Sequence, residues 1–230
     1  NVRVPLNKAF QIDLKKLKAT YNSRSKLLFL CSPNNPTGNL LKSEEMLEVI
    51  RSFPGMVVVD EAYIDFSTKA SWLGQLDEFP NLIVLQTLSK AWGMAGIRVG
   101  VAMGNPYVIS MLERIKPPYN LSLANQELAL QALQHESTKN DQVNTLLAER
   151  KKLFSALIRL ALVREIVESD ANFLLVRFYK AQTLFEYLIE RGVIVRNRTK
   201  ELHCEDCLRI TIGTPDENER LVKLIQAFKA

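Results

Sequence analysis

Met56-Val57-Val58-Val59-Asp60-Glu61-Ala62-Tyr63 is the stretch that decides the fold. An unbroken apolar run bounded by polar residues reads as a strand buried on both faces, the habit of parallel sheets. The same design recurs on either side. Leu27 to Cys31 runs into Ser32-Pro33-Asn34-Asn35-Pro36-Thr37-Gly38, and Leu82 to Leu85 runs into Gln86-Thr87-Leu88-Ser89-Lys90. Between the first two runs, Ser43, Glu44 and Glu45 open a helical pattern that ends near Phe53-Pro54-Gly55. Strand, helix and strand at roughly thirty residues per unit is what a βαβ crossover needs. A fourth strand, Val99 to Met103, follows too closely for a crossover and is expected to run antiparallel.

Further along, Leu121, Ala124, Leu128 and Ala132 fall at helical spacing. Val143 through Leu160 repeats the pattern after a polar break near Glu136-Ser137-Thr138. Strands are then predicted at Glu165 to Glu168, Phe173 to Phe178, Val193 to Val195 and Leu208 to Ile212. Helices are predicted from Ala181 to Arg191 and from Asp216 to Phe228. The pattern divides the chain into a larger α/β domain over 1–117, a helical connection over 118–160 and a small α+β domain over 161–230.

With 230 residues, 47% of them hydrophobic, the chain can bury a sizeable core. The net charge of +5 is spread among acids, so no basic stripe points to nucleic acid. No apolar run approaches the ~20 residues that cross a bilayer. Cys31, Cys204 and Cys207 form no disulfide framework, and reduced thiols in the cytoplasm are expected. His203-Cys204-Glu205-Asp206-Cys207 offers no second ligand pair for a metal, and it reads as a loop with two incidental thiols. His135 and His203 read as solvent-facing. The chain opens at Asn1-Val2-Arg3-Val4-Pro5, without Met and as if inside a strand, and an upstream part is expected.

Ligands of open α/β sheets bind beyond the carboxyl ends of the strands. The three runs therefore place Asn35, Asp60, Tyr63 and Lys90 around one crevice, with Asp60 standing 25 residues after Asn35 and Lys90 standing 30 after Asp60. Each residue alone has a plainer reading. Asp60 could cap a turn, Asn35-Pro36-Thr37-Gly38 could be an ordinary turn, Trp92 reads as a packing residue, and Arg98 and Arg196 could be solvated charges. Together they suit a different chemistry. A partly desolvated lysine is a nucleophile toward an aldehyde. A carboxylate ending a buried strand needs a proton-bearing partner such as a pyridine nitrogen. Asn35 and Tyr63 could donate to a ring oxygen, while Thr87, Ser89 and Arg98 offer hydroxyls and a guanidinium for a phosphate.

The order Ser32-Pro33-Asn34-Asn35-Pro36-Thr37-Gly38, then Asp60-Glu61-Ala62-Tyr63, then Ser89-Lys90-Ala91-Trp92-Gly93-Met94-Ala95-Gly96-Ile97-Arg98-Val99-Gly100 resembles the fold-type I, class I/II aminotransferases. The resemblance implies a three-layer α/β/α large domain, incomplete at its N-terminus, with a small α+β C-terminal domain. It implies pyridoxal 5'-phosphate as cofactor, with Lys90 as Schiff-base lysine and proton shuttle. Asp60 would then meet the pyridine nitrogen, Asn35 and Tyr63 the ring oxygen, and Thr87, Ser89 and Arg98 the phosphate. Arg209, in Leu208-Arg209-Ile210-Thr211-Ile212-Gly213, matches the arginine that holds the substrate's acid group.

Within the family the tail is most similar to the histidinol-phosphate aminotransferase subgroup, on Val193-Ile194-Val195-Arg196-Asn197, on Arg209 and on the Ser169-Asp170-Ala171-Asn172-Phe173 approach to a strand. Arg196 and Arg209 on neighbouring strands could clamp a substrate phosphate. That implies transfer of an amino group from a phosphorylated amine, histidinol phosphate, to a keto acid, 2-oxoglutarate, by a cytoplasmic homodimer. Threonine-phosphate decarboxylase shares the scaffold and is the alternative. Family members also carry a Gly-rich phosphate turn and a ring-stacking aromatic upstream of the Ser-Pro-Asn-Asn segment, whereas only 31 residues precede Ser32 here. A non-catalytic remnant is therefore a second class of reading.

Overall fold

The computed structural model describes residues 1–229. They fold as two compact units. One comprises Asn1–Pro33 with Leu41–Asp141, and the other Asn34–Leu40 with the chain from Gln142 onward.

The first unit is built on strands β1 (Leu27–Cys31), β2 (Met56–Asp60), β3 (Leu82–Thr87) and β4 (Gly100–Gly104), in that order across the sheet. The first three are parallel and β4 returns antiparallel to β3, as the short connection requires. The register sets Cys31 beside Asp60 and Asp60 beside Leu85, so the chain leaves all three parallel strands at one edge. Helix α1 (Leu14–Thr20) precedes the sheet, and helix α2 (Ser43–Ser52) makes the first crossover. Met46, Val49 and Ile50 of α2 share a core with Val57, Val59, Leu82 and Val84. Methyl-rich strands against an apolar helix face account for that layer, since each such side chain contributes roughly 1.5–3 kcal/mol when fully buried.

Two sequence expectations change here. Residues 1–7 form no strand; Val4 and Leu6 pack against the first unit's core from an irregular segment instead. A helix α3 (Pro106–Ile115) follows β4, capped by the Asn105 side chain with Pro106 in its first turn. Helix α4 is Leu123–Leu133 and α5 is Glu136–Leu157. The break between them is at Gln134 and His135, so the polar Glu136-Ser137-Thr138 begins a helix rather than interrupting one. The connection read over 118–160 is shared, up to Asp141 with the first unit and from Gln142 with the second.

In the second unit, strands β5 (Val163–Val167), β6 (Phe173–Phe178), β7 (Arg196–Asn197) and β8 (Cys207–Thr211) form an antiparallel sheet ordered β5-β6-β8-β7. Helices α6 (Ala181–Glu190) and α7 (Pro215–Ala227) pack on it with the second half of α5. Leu153, Leu157, Leu184, Leu188, Leu221 and Ile225 meet Leu174, Val176, Leu208 and Ile210 in one core. The strand predicted at Val193 to Val195 lies later, at Arg196–Asn197. Val195 is buried as a strand residue would be, but the Val193 N–H returns to Leu188 O at 2.9 Å and closes the end of α6. Helix α7 opens with a full capping box, Thr214 and Glu217 each bonding the other's backbone N–H.

Candidate functional site

The first unit carries six of the expected residues where its parallel strands end. Asp60 closes β2 and is half-buried; its Oδ1 accepts from the Ala62 N–H at 3.0 Å. Its second oxygen meets no donor among the described residues. Tyr63 is buried, 6% exposed, and its ring stands 5.1 Å from Lys90 Nζ. Lys90 itself is exposed, where the sequence suggested partial desolvation, and it makes no ion pair among the described residues. It sits in a turn closed by the Gly93 N–H bonding Lys90 O at 3.1 Å, which carries the amine outward from the strand end.

Thr87 organises that turn. Its hydroxyl donates to Val99 O at 3.2 Å and accepts from the Ser89 N–H at 3.1 Å, leaving one lone pair. The Leu88 N–H reaches the same Val99 carbonyl, and the Met94 N–H bonds Leu88 O. Thr87, Ser89, Lys90 and Arg98 are thus borne on one closed loop. Arg98 is exposed, donates from Nη1 to Ala95 O at 3.0 Å and adopts a left-handed backbone with φ 55°. Trp92 packs with Leu88, Ile97 and Val99, as its packing reading expected.

Glu61 is a site-adjacent residue that the motif reading passed over. It is 1% exposed, yet it is a carboxylate. Ser71 Oγ donates to it at 2.5 Å, the Trp72 N–H at 2.7 Å and Gln86 Nε2 at 3.0 Å. Those three donors are what make its burial tolerable, and in return Glu61 ties the 71–75 turn to the ends of β2 and β3. An acid directly after Asp60 was the available signal.

The second unit carries the other three expected residues. Asn35 Oδ1 accepts from Arg209 Nη1 at 2.7 Å. A guanidinium can only donate, so the contact sets the amide's orientation and leaves Asn35 Nδ2 as a donor. Arg209 lies on β8 with its guanidinium carbon 4.9 Å from the Phe173 ring centroid. Arg196 of β7 stands directly opposite Arg209 in the antiparallel ladder. Opposed residues leave the same face, where two like charges destabilise the sheet unless an anion joins them. The Asn35 loop is docked by Gly38, whose carbonyl accepts from the Asp170 N–H at 2.7 Å. With φ +83° and Ser169 Oγ only 2.5 Å from where a Cβ would stand, Gly38 leaves no room for a side chain.

Cys204 and Cys207, read as incidental loop thiols, are both buried and outside any disulfide. A thiol–thiol hydrogen bond holds Cys204 below the usual thiol range and, with burial, pushes Cys207 up. Arg177 closes their loop by donating to His203 O at 3.0 Å and to Glu205 O, so His203 is half-buried rather than solvent-facing.

Chemically, the first unit offers a primary amine and a carboxylate oxygen that meet no ionic partner or donor among the described residues, a phenol, and a loop bearing hydroxyls and a guanidinium. That set suits an aldehyde on a protonated aromatic base with an anionic substituent. The model of the family described as "Aminotransferase class I and II" matches residues 1–225. The chain belongs to that family. Among its aminotransferase relatives, the histidinol-phosphate aminotransferase of Cytophaga hutchinsonii is 45% identical over 99% of this chain and 65% of its own length. That of Parabacteroides distasonis is 46% identical over 99% of this chain and 66% of its own length. The crystal structure of histidinol-phosphate aminotransferase from Sinorhizobium meliloti, in complex with pyridoxal-5'-phosphate, superposes with a TM-score of 0.83 at 24% identity. That match covers 98% of this chain and 64% of the other, and it shows the shared aminotransferase fold. The chain thus spans just under two thirds of the length of the curated relatives it matches.

Proposed function

We propose that this chain serves pyridoxal-phosphate-dependent transamination between histidinol phosphate and 2-oxoglutarate. One observation carries the cofactor part: the Lys90 amine, in no ion pair among the described residues, shares one closed loop with Thr87, Ser89 and Arg98 and lies against the Tyr63 ring. When bound, the cofactor supplies an electron sink for the carbon that bears the transferred amine. Lys90 Nζ holds the cofactor and moves the proton at that carbon. Asp60 accepts from the ring nitrogen and keeps its proton in place. Tyr63 and the Asn35 amide donate to the ring oxygen, and Thr87, Ser89 and Arg98 bind the phosphate.

The substrate part is supported by the opposed pair Arg196 and Arg209. Two guanidiniums leaving one face suit a phosphate dianion, whereas a single arginine would serve a carboxylate. The relatives at 45% and 46% identity are named for that phosphorylated substrate. We further assign the protein to the cytoplasm and to a homodimer.

Adding pyridoxal phosphate should produce a visible absorbance band, and borohydride should fix the cofactor on the peptide that contains Lys90. The Lys90→Ala variant should show neither. Absence of a band at saturating cofactor would overturn the proposal for this chain.

A further inference from the structure

The turns that carry Tyr63 and Lys90 are joined twice, and the second link comes from a residue that no motif singled out. Lys139, near the start of α5, donates from Nζ to Asp65 Oδ1 at 2.9 Å. The same Nζ stands 5.1 Å from the centroid of the Trp92 ring. Asp65 lies in the 3-10 turn Ile64–Phe66, whose N-cap residue is Tyr63. Trp92 follows Lys90 by two residues. With Lys90 on the Tyr63 ring, the two turns are thus bridged by one ammonium at the candidate site and by another two residues farther along each turn.

Water reaches little of this ion pair. Side-chain exposure is 12% for Lys139 and 26% for Asp65. Exposed pairs gain little because water and salt screen them, whereas a shielded ammonium needs its partners. Lys139 is given two, a carboxylate from one turn and an indole face from the other. An apolar side chain of the same length could lie on Trp92 but could not hold Asp65.

We infer that Lys139 is a positioning residue that sets the placement of Tyr63 relative to Lys90. Its consequence for cofactor capture rests on the function proposed above; the clamp itself does not. Hydrogen exchange on the cofactor-free chain tests the clamp. In Lys139→Met, amides of both the 63–67 and the 88–94 segments should exchange about tenfold faster, the scale of one shielded ion pair with a cation–π contact. Lys139→Arg, which can reach a carboxylate and lie on an indole, should restore both segments. Should the Met variant fail to fold, Asp65→Asn is the substitute and should loosen the 63–67 segment and the start of α5. Faster exchange in neither turn or in only one for Lys139→Met, equal behaviour of the Met and Arg variants, or no loosening in Asp65→Asn would overturn the clamp.

A second arm reads cofactor. The concentration of pyridoxal phosphate needed for half-maximal borohydride fixation on Lys90 should rise severalfold in Lys139→Met and return in Lys139→Arg. An unchanged concentration would overturn the positioning role. No fixation in the unsubstituted chain would count against the proposed function, leaving the exchange result to decide the clamp.

Discussion

Arg98 holds a left-handed backbone that a non-glycine residue adopts at a cost of about 1–2 kcal/mol. Arg98→Gly would relieve that cost, less the roughly 0.4–1 kcal/mol of extra chain entropy that glycine brings to the unfolded state. A net gain of roughly 0.5 kcal/mol is expected in urea unfolding. Pyridoxal phosphate should meanwhile be fixed less readily, because the proposed phosphate contact goes with the guanidinium. A loss of stability would show that the Arg98 side chain, not its backbone, matters to the fold. Arg196 poses a similar balance across β7 and β8. Arg196→Ala removes a like-charge neighbour of Arg209, so it should leave the fold intact while weakening a phosphorylated substrate far more than a simple amino acid. Equal losses for both substrates would remove the clamp argument.

The loop from Asn34 to Leu40 depends on one glycine. Gly38→Ala meets both a positive φ and Ser169 Oγ, so it should destabilise by about 2 kcal/mol or more. Denaturant unfolding would check it, and a change within error would mean that the loop shifts freely. At the far end of β8, two acids hold the entry to α7. Hydrogen bonds from Thr214 keep the Glu217 carboxyl below its ordinary value of 4.5. Glu149 is lowered first by its bond to Lys152 and then by Asn218, whose amide also bonds both backbone groups of Gly213. A folded value below the unfolded one gives stability that is complete above about pH 4.5 and lost as the pH falls through the depressed values. Exchange protection at the start of α7 should therefore fall on acidification below that point, and less so in a Glu149→Gln, Glu217→Gln double variant.

The same elements show how far local pattern carries. The three parallel strands and the α2 crossover are where the apolar runs put them, but two-sided burial holds for β2 and the start of β3 only: Leu27 and Phe29 of β1 are 57% and 64% exposed, so an apolar run marks a strand without telling which of its faces is covered. Val193 to Val195 deceived for a related reason: burial selects the same residue types whether the backbone pairs in a ladder or closes a helix. Helix α3 has a legible start in Asn105-Pro106, a capping side chain followed by a proline suited to the first turn. Nothing in Glu136-Ser137-Thr138 marks a helix start, since polar residues occupy exposed helix turns and loops alike.

For the molecule as a whole, the uncovered apolar surface is the feature with consequences. Helices α3 and α4 bury no residue fully, and Ile115, Tyr119 and Leu123 are 78%, 93% and 71% exposed. Large apolar side chains this exposed and this close in sequence suit an association face. In keeping with the proposed homodimer, sedimentation should show concentration-dependent self-association that Ile115→Lys with Leu123→Glu reduces. A monomer at all concentrations would count against the homodimer.

The sequence by itself determined the strands of the first unit and their directions, the polar clusters where its strands end, and the family, because each is written in contiguous residues or in spacings of one βαβ unit. Only the tertiary structure decided which side chains meet. Asn35 and Arg209 are 174 residues apart, and Asp65 and Lys139 are 74 apart. Such pairs leave no periodic trace, since a single polar residue on a helix or loop looks the same with or without a distant partner. Burial of Glu61, Cys204 and Cys207 belongs with them, for it is set by neighbours that close in from elsewhere in the chain.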